Sequence, residues 1–87
     1  MAFLIDCYVD GAEFRGREER ANKEGKPYIL CRFEDPSGRS FECTTSDESM
    51  FSEVRKLNKA DLVTLKLRAV SSQKYSYLSI LGIVAGA

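Results

Sequence analysis

The chain has 87 residues and a mass of 9.8 kDa, enough for one domain and no second core. Hydrophobic residues make up 44% and charged residues 30%, the mix of a folded chain rather than a disordered one. Basic and acidic side chains balance at 13 each and histidine is absent, which excludes a globally basic nucleic-acid binder, a histidine-based acid–base catalyst and the commonest zinc ligand.

Residues 1–14 alternate with the two-residue period of a strand. Phe3, Ile5, Cys7 and Val9 point one way; Leu4, Asp6, Tyr8 and Asp10 point the other. Gly11 marks a bulge, and Ala12-Glu13-Phe14 continue the strand beyond it. Residues 15–26, RGREERANKEGK, have no apolar face and read as a long solvated loop or the tips of a hairpin. Residues 27–34 alternate again, with Ile29, Cys31 and Phe33 on one face and Tyr28, Leu30 and Arg32 on the other. Asp35-Pro36-Ser37-Gly38 is a tight turn. Arg39 to Thr45 returns as a third strand carrying Phe41 and Cys43.

The period then changes. Thr45 and Glu48 fit a capping box, and Met50, Phe51, Val54 and Leu57 share a helical stripe. One short helix is predicted over 46–58. Residues 61–70 form a fourth strand, with Val63, Leu65, Leu67 and Ala69 on one face and Thr64, Lys66 and Arg68 on the other. Ser71 to Lys74 is a turn, and residues 75–84 form a fifth strand with Leu78, Ile80 and Val84 inward. Gly82 marks a second bulge, and residues 85–87 fray. Phe3, Phe33 and Phe51 fall on core faces. Three strands, a helix and two more strands is the element order of the OB-fold, a five-stranded Greek-key barrel. The expected class is therefore all-β with one short helix, over residues 1–87. An SH3-like barrel is the competing fold, with a shorter helix.

Cys7, Cys31 and Cys43 lie in apolar runs without a CxxC pair. They read as buried, reduced thiols of a cytoplasmic protein. No run approaches the ~20 apolar residues of a membrane helix, and the N-terminus lacks the basic start of a signal peptide. No cofactor or metal is expected. An enzyme would depend on Cys31 or Cys43 with Asp47 or Glu48, and is not expected.

Binding is the better reading. Arg15, Arg17, Arg20, Lys23 and Lys26 cluster in one segment, interleaved with Glu18, Glu19 and Glu24. That segment is either a self-compensating solvated loop or an arm that meets phosphates. Tyr28, Tyr75 and Tyr77 point outward beside Arg32, Lys66 and Arg68. Such a set serves either as sheet packing or as a base-stacking platform with basic flanks.

Gly25-Lys26-Pro27-Tyr28, followed by Leu30 on the same face, resembles the filamentous-phage gene V type of single-stranded-DNA-binding protein. In that family a GKPY segment opens the second strand and its Tyr faces DNA. The basic segment before it corresponds to the family's DNA-binding wing. The turn after Arg68 and the aromatic at Tyr75 resemble its last hairpin, which builds a homodimer. The resemblance implies base contacts by Tyr28, Leu30 and Tyr75, and phosphate contacts by Arg17, Arg20 and Lys23. Phe41 stands where the family has another DNA-facing aromatic; periodicity leaves it open between DNA and core. Together with Arg32, Arg68 and Tyr77 from the platform, these are the candidate site residues. The expected function is sequence-tolerant coating of single-stranded DNA in phage or mobile-element replication, by a homodimer joined through the 68–78 hairpin. RNA offers the same phosphates and stackable bases. A protein-interaction module on the same barrel is the alternative.

Overall fold

The computed structural model describes residues 3–85. The elements follow in the expected order: β1 (Phe3–Ala21), β2 (Pro27–Glu34), β3 (Ser40–Thr45), α1 (Glu48–Arg55), β4 (Leu62–Ser71) and β5 (Ser76–Ala85). The strands close into a barrel in the order β1-β2-β3-β5-β4. Neighbours are antiparallel except β3 and β5, which run parallel where Thr44 meets Ser79. This is the five-stranded OB-fold.

β1 serves two neighbours. Its first part pairs with β4 as far as Glu13, and from Glu13 onward it pairs with β2. The register slips between Val9 and Ala12, and again between Phe14 and Gly16. These bulges bend the strand round the barrel. Gly11 lies in the first, with φ 69°, and a Cβ there would stand 3.4 Å from Pro36 Cγ. The bulge expected at Gly11 is present, in a conformation that glycine adopts without strain.

Residues 15–21 correct the sequence reading. They are strand rather than loop, laddered from Arg17 opposite Cys31 to Ala21 opposite Pro27. Backbone pairing needs no apolar face here, because the inner side of this overhang meets α1 through polar groups. Arg17 Nη1 donates to the Leu57 carbonyl at 3.0 Å, and Arg55 pairs with Glu19.

The core gathers Ala12, Phe14, Ile29, Cys31, Phe33 and Cys43 with Phe51 and Val54 of α1, and Val63, Leu65, Leu67 and Ile80 of β4 and β5. Phe33 packs edge-on against Phe14 at 5.5 Å between centroids and stacks on Phe41 at 5.9 Å. Phe3 and Ile5 keep the expected alternation, yet they are 67% and 64% exposed. Their end of β1 overhangs the barrel, so no core lies beneath them.

Two further expectations change. The helix is capped by Asp47, whose carboxylate accepts from the Ser49 N–H at 3.0 Å. Thr45 is still the last ladder residue of β3, buried opposite Ile29, so the helix cannot start there. Val84 is exposed rather than inward. Leu81 is the extra residue of the bulge before Gly82, and the slip turns Ile83 toward the core opposite Leu65. Among the described residues no helix is long and apolar enough to cross a membrane.

Candidate nucleic-acid interface

The GKPY segment acts first through its backbone. Gly25 takes φ 81° at the tip of the β1–β2 wing and donates to the Asn22 carbonyl at 2.9 Å. Asn22 Oδ1 accepts from the N–H groups of Glu24 and Lys26, each at 2.9 Å. Pro27 then opens β2 opposite Ala21, and the register sets Tyr28 opposite Arg20. A turn that needs a left-handed residue and an Asx acceptor thus fixes the tyrosine's position.

Cross-strand partners share one side of a sheet. Ile29, Cys31 and Phe33 are buried, so Tyr28, Leu30 and Arg32 lie outside. One outer row runs Glu18, Leu30, Thr44, Ser79, Arg68, Asp6 across all five strands. Another carries Arg32 and Glu42, then Tyr77, Val70 and Leu4; Glu42 and Tyr77 line one shallow groove. Tyr75 and Tyr77 are 55% and 47% exposed, and their rings stack at 5.8 Å. Thr44 and Ser79 are small and half-buried, and leave a low floor between β2 and β5.

The outer surface therefore unites Arg20, Tyr28, Leu30, Arg32, Arg68 and Tyr77, with Tyr75 stacked at its edge. Lys23 is exposed at the wing tip and makes no ion pair among the described residues. Two expected members lie elsewhere. Arg17 stands opposite Cys31, on the inner side, where it donates to the Leu57 carbonyl just past the end of α1. Phe41 stands opposite Phe33 and stacks on it, so its ring belongs to the core side.

Carboxylates share this surface, and sequence reasoning missed their placement. Arg20 donates to Glu18 at 2.9 Å, Arg32 to Glu42 at 2.8 Å, and Arg68 to both oxygens of Asp6 at 2.8 and 3.3 Å. The hydrogen bond from Arg68 holds the Asp6 carboxyl below its usual range, and that from Arg20 does the same for Glu18. Strand periodicity in 15–21 would have put Glu18 beside Leu30, but that segment has no apolar alternation to reveal it. Among the described residues no cluster could hold a metal ion. The arrangement offers stacking faces and exchangeable cations.

No protein-family model and no curated protein matches the sequence. The structure is similar to that of Rim1, described as a mitochondrial single-stranded DNA binding protein from S. cerevisiae. One crystal form superposes with a TM-score of 0.78 at 13% identity, covering 95% of this chain and 96% of that one. A second gives 0.74 at 14% identity, covering 98% and 99%. At such low identity the likeness shows a shared fold over essentially the whole of both chains.

Proposed function

We propose that this chain binds single-stranded DNA with little regard for sequence. Bases stack on Tyr28 and on the Tyr75–Tyr77 pair, Leu30 packs beside them, and Lys23, Arg20, Arg32 and Arg68 meet phosphates. The observation that carries this reading is the stacked, half-exposed tyrosine pair on the same outer surface as Tyr28 and Leu30. Every base has a face to stack, so such a site tolerates sequence, whereas a duplex hides those faces. The fold shared with a single-stranded-DNA-binding protein supports the reading. The GKPY segment and the terminal hairpin support a relation to the phage gene V type, a role in phage or mobile-element replication, and a cytoplasmic homodimer joined at the 68–78 hairpin.

The paired arginines set the salt response. A phosphate reaching Arg20, Arg32 or Arg68 displaces a carboxylate, and exposed ion pairs of this kind add little stability, so the exchange is easy. The carboxylate then needs its own counterion. The slope of log K against log salt is accordingly shallower than the ~0.7 per contact of an unpaired cation on a single strand.

The test is fluorescence anisotropy of labelled oligo-dT against salt, with wild type and Tyr28→Ala, and with oligo-U and duplex DNA as further arms. Loss of one stacking ring is worth ~1–3 kcal/mol, so Tyr28→Ala will bind roughly 5- to 150-fold more weakly. Duplex will bind far more weakly than oligo-dT. Absence of binding at low salt would overturn the proposal. The second reading, a protein-interaction module, would then stand on the exposed Phe3, Leu4 and Ile5.

A further inference from the structure

Tyr8 is 67% exposed, as open as any large apolar side chain outside the overhanging end of β1. It faces outward opposite Lys66, whose Nζ lies 5.9 Å from the ring centroid. Lys66 pairs in turn with Gly82 on β5, which puts no side chain in the way. The setting differs from that of the arginines already described. Arg20, Arg32 and Arg68 each hold a carboxylate, whereas Lys66 makes no ion pair among the described residues. Asp6, two residues before Tyr8, is engaged at both oxygens by Arg68, and Asp10, two residues beyond Tyr8, makes no ion pair with Lys66 among the described residues. Lys66 therefore has a charge to give to an anion.

The sheet of β5, β4 and β1 orders these groups. The stacked pair Tyr75–Tyr77 stands at one corner, with Tyr77 opposite Val70. Arg68 stands in the middle, between Ser79 and Asp6. Lys66 and Tyr8 stand at the opposite corner. From Tyr77 to Tyr8 is two strand spacings across and about four residues along, ~16 Å in all. That diagonal alternates aromatic, cation, cation, aromatic on one hydrogen-bonded surface.

We infer that Tyr8 and Lys66 form a second stacking-and-phosphate station, which extends the single-stranded track from Tyr77 past Arg68 across β4 to β1. The inference rests on the reading of the outer surface as a single-stranded nucleic-acid site. The free face of Tyr8 takes a base, and Lys66, now beside the ring, takes the neighbouring phosphate. Cation–π contact holds the pair ready in the free protein. The station lies at the far end of the track, so only a strand long enough to pass Arg68 reaches it.

The test compares Tyr8→Ala, Lys66→Gln and Tyr28→Ala on oligo-dT of about 4 and about 20 nucleotides, one at the bottom of and one above the ~4–16-nucleotide site sizes of single OB-folds. Tyr8→Ala will bind the longer strand roughly 5-fold or more weakly and the shorter one as wild type does. Lys66→Gln will lower the salt slope on the longer strand by about 0.7. Tyr28→Ala will weaken both lengths. If Tyr28→Ala weakens binding and Tyr8→Ala leaves both lengths unchanged, the second station is overturned and the first stands. If wild type binds neither length, the whole surface reading fails. If Tyr8→Ala changes the mass in solution while Lys66→Gln binds as wild type, Tyr8 belongs to a protein interface and the inference is overturned. Both side chains are exposed, so thermal melts of the variants will match wild type.

Discussion

Cys31 and Cys43 stand directly opposite each other on β2 and β3, inside the barrel. Burial pushes the Cys31 thiol from 9.0 up to about 11, against a small opposing pull from Arg17. Burial pushes Cys43 further, with Cys31 adding to it. The folded state thus favours the neutral thiols. An unfolded chain ionises them near pH 9, so stability is full below that and falls as the pH rises toward about 11. Urea midpoints will be flat from neutral pH to about pH 8.5 and then decline. The decisive comparison is Cys31→Ala, whose midpoint will decline less steeply than that of wild type. A parallel decline in both would refute the assignment. In the native protein at mildly alkaline pH, iodoacetamide will label half-buried Cys7 and spare the other two until the chain unfolds. Mass spectrometry of the labelled peptides reads this directly, and equal labelling of all three would count against it.

The connection from α1 to β4 carries the one non-glycine residue with positive φ among those described, Ala60 at 77°. The turn is imposed from outside. The Ala60 N–H donates to the Phe14 carbonyl at 2.9 Å, and the Phe14 N–H donates to the Asp61 carbonyl at 2.8 Å. That two-bond clasp joins the turn to the middle of β1. A left-handed L-residue costs ~1–2 kcal/mol, of which glycine's greater freedom in the unfolded chain takes back part. Ala60→Gly will raise stability by about 0.5–1 kcal/mol in urea denaturation. A loss of stability would show that the methyl group contributes packing worth more than the strain. The same clasp explains why the helix stops at Arg55 rather than at 58: the chain must leave helical geometry to reach Phe14. No local signal around Ala60 announces this. The strands were legible because burial on one face imposes alternation, as with Ile29, Cys31 and Phe33. Residues 15–21 were not, because their inner face meets α1 and the turn after it through Glu19 and Arg17 instead of apolar contacts. The outward tyrosines followed from the same alternation. The acids that neutralise the site did not, since Arg68 and Asp6 are 62 positions apart and meet only through the β1–β4 ladder.

At the scale of the whole molecule the two sides of the overhanging corner have different chemistry. The first residues of β1 and the 68–78 hairpin extend past the barrel end. On the outer side they carry Leu4, Val70 and Tyr77, from which the track runs over Arg68 to Tyr8 above the barrel. On the inner side Phe3 stands opposite Ser71, Ile5 opposite Ala69, and Ala69 opposite Leu78, an apolar patch with Phe3 and Ile5 two-thirds exposed. Residues 3–9 pair with β4 along one edge, and β2 joins β1 only from Glu13. A free edge and an apolar face at one corner suit a second copy of the same chain, because pairing of two identical edges is self-complementary. Such a dimer covers the inner patch and leaves the aromatic track open on the outer side. Light scattering will then give twice the 9.8 kDa chain mass for wild type and 9.8 kDa for Ile5→Glu. Because the patch and the track lie on opposite sides of the sheet, Ile5→Glu will keep wild-type affinity for a short oligonucleotide. It will lose the gain that a long strand draws from engaging two linked sites at once. A wild-type mass of 9.8 kDa at working concentration would overturn the dimer. Loss of short-strand binding in Ile5→Glu would instead mean that the two surfaces are one.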